Sequence, residues 1–138
     1  MNFPFKHIPN RTKSPRDNGL TMVMDKGLSI RESENMISSA SKHIDIVKLG
    51  FGTAFLTEDL DKKIKLYQNA GFKVYFGGTL FEAFIIRDMF QEYVELINRF
   101  EMDTVEISDG SITIDHDKKC EYINILSQNT TVLSEIGS

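Results

Sequence analysis

Five short apolar runs recur along this chain at a spacing of about 24 to 31 residues, each stopped at or near a glycine. Leu20–Met24 gives way to Asp25-Lys26-Gly27, and Ile44–Leu49 to Gly50-Phe51-Gly52-Thr53. Lys73–Phe76 meets Gly77-Gly78, Asp103–Ile107 meets Ser108-Asp109-Gly110, and Thr131–Ile136 meets Gly137. Runs this short and apolar read as buried strands. Leu20–Met24 in particular reads as a strand covered on both faces.

The intervening segments carry helix signals. Ser29-Ile30-Arg31-Glu32 is a capping box, and Met36, Ile37 and Ala40 supply the buried stripe behind it. Thr57 is the expected cap of the next helix, with Glu58 and Asp59 in its first turn and Gly71 as its left-handed stop. The stretch from Glu82 to about Phe100 reads as one helical pattern broken once near Arg87-Asp88. Asp115 caps a further helix that runs to about Ser127.

The order is therefore β-α repeated, an α/β chain of parallel (β/α) units with helices outside. An open doubly wound sheet would bury Lys48, Glu106 and Glu135 under helices at high cost. A (β/α)8 TIM barrel lets the same residues point into a polar interior at the C-terminal ends of the strands. The barrel is the expectation, incomplete and ending after strand five, because a closed one needs about 200 residues or more and this chain has 138. Residues 1–18 read as an irregular leader, and 19–138 as the partial barrel. The leader's Lys13 and Arg16 are candidates to reach back toward an anionic ligand. Strands one and five would be left as apolar edges that invite pairing, so a homo-oligomer or a piece of something longer is expected.

Several function classes are disfavoured. A net charge of −4 with no basic run gives no general affinity for nucleic acid or anionic lipid. The lone Cys120 rules out an internal disulfide framework and is expected in the packed core. His7, His43 and His116 lie near no second ligand, which argues against a histidine metal site or a catalytic triad. No apolar run is long enough to span a membrane, and the N-terminus lacks signal-peptide order. A soluble cytoplasmic protein is expected.

The strand ends gather Asp25, Lys26, Lys48, Thr53, Thr79, Glu82, Glu106, Ser108, Asp109 and Glu135. Parallel α/β folds place active sites at that edge. Glu106 and Glu135, on adjacent strands, could share a hard divalent cation. Lys48 in a partly dry interior suits a proton donor, and Lys26 suits an anionic substrate group. The Gly77-Gly78 pair ahead of a helix offers backbone N–H groups to an anion. Each has a simpler alternative. Asp25 and Asp109 are common turn formers, and Glu106 could be the ion-pair partner of Lys48.

Taken in order, the five blocks Gly19–Gly27, Ile44–Thr53, Gly77–Glu82, Val105–Gly110 and Val132–Gly137 resemble the phosphosulfolactate synthase family. They cover essentially the whole chain after the leader. The resemblance implies a (β/α)8 barrel and a lyase that adds sulfite to phosphoenolpyruvate, with Mg2+, giving 2-phospho-3-sulfolactate. By analogy with enolase-type sites it implies Glu106 and Glu135 as metal ligands and Lys48 and Lys26 as the groups that neutralise or protonate. Asp25, Gly77, Gly78, Thr79 and Asp109 then face the substrate. Family members are roughly twice as long and place a lysine just beyond the last block, whereas this chain stops at Ser138, and Phe51 stands where tryptophan is usual. Little activity is expected of the chain by itself. The competing expectation is a non-catalytic, self-associating structural or stress-related relative.

Overall fold

Alternation along the strands decides which way each side chain faces. Val23, Val47 and Val74 stand in register across neighbouring strands. The next position brings Met24, Lys48 and Tyr75 into register on the opposite face. The first row packs under helices; the second lines a concave surface.

The computed structural model describes residues 5–136. Its elements are β1 (Met22–Asp25), α1 (Ile30–Ala40), β2 (Ile46–Leu49), α2 (Leu60–Asn69), β3 (Lys73–Phe76), α3 (Gly78–Ile85), α4 (Phe90–Arg99), β4 (Thr104–Ile107), α5 (His116–Leu126) and β5 (Thr131–Ser134). All strand pairs are parallel, in the ladders β1-β2-β3 and β4-β5. β3 packs beside β4 without joining the two ladders into one. The result is an α/β fold of parallel strands with alternating helices, consistent with a partial TIM-barrel-like wall.

The core lies between the wall and its helices. Val47, Ile64, Tyr67, Phe81, Val105 and Ile107 are almost fully buried within it. Each such side chain contributes roughly 1.5–3 kcal/mol on removal from water. Phe81 sits edge-on to both Tyr93 and Tyr122, which ties α3 to α4 and α5.

Local chemistry sets most boundaries. Ser29 Oγ accepts the Glu32 N–H while Glu32 Oε2 accepts the Ser29 N–H, so the capping box at α1 forms as expected. Asp115 accepts the N–H groups of Asp117 and Lys118 and starts α5. α3 and α4 separate at 86–89, where Asp88 takes a positive φ of 56°.

Other expectations need correction. Thr57 does not cap α2; its hydroxyl donates to the Thr53 carbonyl and closes a 3-10 turn, and Asp59 occupies the cap position. α3 starts at Gly78, ahead of Glu82, because the Gly77-Gly78 pair is drawn into it. β1 is not covered on both faces: Met22 and Met24 are exposed because the concave side carries no helix layer. Cys120 is exposed as well, and its neighbour Lys119 turns inward in its place. Arg16 is engaged within the protein itself. It pairs with Asp45 Oδ1 at 2.5 Å and donates to the Lys42 carbonyl, pinning the leader at the N-terminal end of β2. Gly137 and the first four residues lie outside the described residues.

Candidate active site

Glu106 is the hub of the concave side. Its Oε1 accepts from Lys48 Nζ at 2.7 Å and from the Gly78 N–H at 2.7 Å, and its Oε2 accepts from the Tyr75 hydroxyl at 3.1 Å. Strand alternation places Lys48 and Tyr75 on this face, and the first N–H of α3 comes down onto the same carboxylate. Burial, with the nearby charge of Glu106, pushes the Tyr75 hydroxyl pKa upward, so Tyr75 is a donor throughout the neutral range. The seam between β3 and β4 is thus bridged through one carboxylate.

Glycine is required where α3 meets β4. A Cβ on Gly78 would overlap Ser108 Cβ and come within 3.0 Å of Glu106 Oε1. A Cβ on Gly77 would lie 2.8 Å from Lys48 Cε. The Gly77 N–H is spent on the Leu49 carbonyl and the Gly78 N–H on Glu106, so neither is free for a substrate anion.

Glu82, one turn into α3, forms a second node. Ser108 Oγ donates to its Oε1 at 2.5 Å, the Ser111 N–H reaches the same oxygen at 3.3 Å, and Ser108 Oγ in turn accepts the Gly110 N–H. Glu82 and Glu106 share one cavity of about 290 Å³ with Lys48, Thr79, Ser108 and Glu135. Met24 and Phe51 supply its apolar rim.

Lys48, Glu106, Glu135 and Thr79 of the sequence-derived set are therefore brought together. Lys26 is not among the residues lining the cavity; its ammonium lies 5.3 Å above the Phe51 ring. Asp25 is turned away from the cavity. Fully buried, it pairs with Lys63 at 2.6 Å and accepts from Tyr67 and from the N–H groups of Gly27 and Leu28. Burial alone would raise its pKa; the donors of Lys63, Leu28, Tyr67 and Gly27 outweigh that and hold it below the usual carboxylate value. Asp109 is likewise taken up, by Lys119 at 2.7 Å, whose ammonium also holds the Glu135 carbonyl. Both aspartates are anchors of loops, each satisfied within the protein.

No group of three or more His, Cys, Asp or Glu side chains among the described residues converges into a ready-made metal cage. No helix among them is long and apolar enough to cross a membrane.

Compared with models of known families, residues 9–138 match (2R)-phospho-3-sulfolactate synthase (ComA). The chain belongs to the phosphosulfolactate synthase family. Phosphosulfolactate synthase of Bacillus subtilis (strain 168) is 36% identical over 131 residues, 95% of this chain and 52% of that protein. That of Methanothermobacter thermautotrophicus is 34% identical over 132 residues, covering 94% of this chain and 51% of the relative. That of Methanocaldococcus jannaschii is 39% identical over 122 residues, with 86% and 49% covered. The chain spans about half the length of the curated relatives it matches.

Within this phosphosulfolactate synthase fold, sequence reasoning gave Tyr75 and Lys63 no role. Tyr75 had a usable signal, since alternation through Lys73–Phe76 puts it beside Lys48 in the parallel register. Lys63 had none. It sits one residue from Lys62, which is exposed, and only the packing of α2 decides which of the two turns in.

Proposed function

We propose that this chain supplies one side of the mouth of a phosphosulfolactate synthase, the part that receives phosphoenolpyruvate for sulfite addition. The observation that carries the reading is the Lys48–Glu106 pair at the floor of a cavity whose other polar groups are Thr79, Glu82, Ser108 and Glu135. The sulfur lone pair of sulfite forms a C–S bond at the methylene carbon of phosphoenolpyruvate. The π pair moves to C2 and into the carboxylate, and a proton is then delivered to C2. Lys48, held by Glu106 yet still partly open to the cavity, is placed to face the carboxylate and to give that proton. Tyr75 and the Gly78 N–H keep Glu106 fixed, so that the ammonium stays where charge develops. Lys26, over Phe51, draws the anions toward the rim.

The residues present fit magnesium. The donors are all oxygen, as a hard cation prefers. The bare Gly110 leaves a cradle between carboxylates: a Cβ there would lie 3.9 Å from Glu135 Oε1 and 3.9 Å from Glu82 Oε1. Glu135 and the one lone pair left on Glu106 Oε2 would hold the ion. When bound, it supplies positive charge against which the substrate carboxylate can accept electrons.

A test is 13C NMR of [3-13C]phosphoenolpyruvate mixed with sulfite, magnesium and the chain. The expected result is a saturated CH2–S signal that grows faster than without protein and more slowly than with the Bacillus subtilis relative run alongside. No growth above the protein-free mixture would overturn the reading. So would release of inorganic phosphate in place of the adduct.

A second reading, a non-catalytic self-associating protein of the same family, is favoured by Phe55 and Leu56, which are 83% and 80% exposed side by side. Assembly in sedimentation velocity without any phosphoenolpyruvate binding would support it.

A further inference from the structure

Lys48, Lys63 and Lys119 each hold a carboxylate within 2.7 Å, whereas Lys26 forms no ion pair among the described residues. Its ammonium lies over the ring of Phe51, which lines the mouth cavity. Both side chains are exposed, so burial does not fix where they stand. What fixes them lies underneath.

Asp25 is that support. Its Oδ1 accepts the N–H groups of Gly27 and Leu28, at 2.8 and 2.7 Å, which sets the backbone on the C-terminal side of Lys26. Its Oδ2 is held by Lys63 at 2.6 Å and by the Tyr67 hydroxyl at 2.8 Å. Lys63 also donates to the Leu28 carbonyl, so α2 grips the same turn a second time. The main-chain carbonyl of Asp25 accepts the Gly50 N–H at 2.8 Å. Gly50 leads straight into Phe51, whose φ of 54° is a left-handed value uncommon outside glycine. Such a backbone persists where its surroundings over-determine it. The Gly50 carbonyl adds to this by accepting both the N–H and the hydroxyl of Thr53.

Stability alone does not call for this arrangement, since a buried ion pair is often no better than apolar side chains of similar volume. Its value is geometric, because donors from a turn and a helix on one carboxylate leave that turn a single shape. We infer that Asp25 is a positioning residue for the rim of the mouth. Its carboxylate sets the turn that carries Lys26, its carbonyl sets the turn that carries Phe51, and Lys63 locks the carboxylate from α2. The inference rests on the reading given under Proposed function, in which Lys26 draws the anions toward the rim.

Two double variants separate geometry from stability. The first, Asp25→Ala with Lys63→Met, removes the support without leaving a buried charge unpaired. The second, Asp25→Asn with Lys63→Met, removes the same charges but keeps an oxygen for the Gly27 and Leu28 N–H groups. Nuclear Overhauser contacts between the Lys26 side chain and the Phe51 ring should be present in wild type and in the second variant, and lost in the first. Calorimetric titration of phosphoenolpyruvate with magnesium supplies the functional readout. Adding Lys26→Ala should weaken binding about threefold in wild type and in the second variant. It should change nothing in the first, where Lys26 is already displaced; a purely structural role would leave the effects additive.

Contacts that survive in the first variant, or vanish in the folded second one, would overturn the inference. So would an equal effect of Lys26→Ala in all three backgrounds. Should the first variant fail to fold, the contacts in the second decide. No phosphoenolpyruvate binding by wild type would overturn the reading of the mouth and this inference with it. Normal binding with the Lys26 contacts unmoved in the first variant would overturn the inference alone.

Discussion

Lys48 and Glu106 lie 58 residues apart in the chain and meet at 2.7 Å, one from β2 and one from β4. They join the two parallel ladders across a seam that no strand pairing closes. The pair is structural and, in the proposed mechanism, chemical. Removing either partner leaves the other in a site with limited access to water. A double-mutant cycle of Lys48→Met and Glu106→Gln in urea should give a coupling of about 1–3 kcal/mol. Strict additivity would mean the pair contributes nothing to the seam.

The close approach of α3 to β4 gives a sharper steric contrast. Gly78→Ala drives a methyl into Ser108 and should cost about 1–3 kcal/mol. Gly110→Ala meets only ordinary contacts at 3.6–3.9 Å and should stay within about 0.5 kcal/mol of wild type. Urea midpoints of the two variants check this directly.

Asp25 and Lys63 form the most deeply buried ion pair among the described residues, each side chain 1% exposed. Lys63→Met leaves a lone buried carboxylate and should destabilise by about 3–5 kcal/mol. The pH dependence follows from the lowered pKa of Asp25. Its unfolded value is about 3.9, so the stabilisation is fully present above that pH and is lost as pH falls through the lower folded value. Melting temperature should therefore drop on acidification below about pH 4, and more steeply in wild type than in Asp25→Asn. A higher pH for the drop would point to another group.

Cys120 is exposed on α5, and its Sγ lies 3.7 Å from His116 Nε2. A small thiol reagent should modify it in the native protein as completely as in urea, with no change in melting temperature. Protection in the native state would contradict the packing described for α5.

What could be read from the sequence was local or strictly periodic. The left-handed stop at Gly71, the Ser29–Glu32 box, the Asp115 cap and the break near Asp88 depend on neighbours a few residues away, and the structure has them. The Lys48–Glu106 contact was legible too, because period-two alternation puts charged strand residues on the side without helices. Helix faces were harder. Lys119 turns in and Cys120 out because Asp109 and the Glu135 carbonyl wait for an ammonium, and nothing within α5 announces that. Asp25 reads like a loop residue at a strand end; a lysine 38 positions downstream withdraws it from the mouth. The fixed orientation of Glu82 depends on Ser108, from the far side of the seam.

The most direct measurement is calorimetric titration of phosphoenolpyruvate into the chain, with and without magnesium, for wild type and Lys48→Met. Saturable binding that needs magnesium and is lost in Lys48→Met is the predicted result. Binding that ignores both the metal and Lys48, or no binding by wild type, would contradict the placement of the substrate at this mouth.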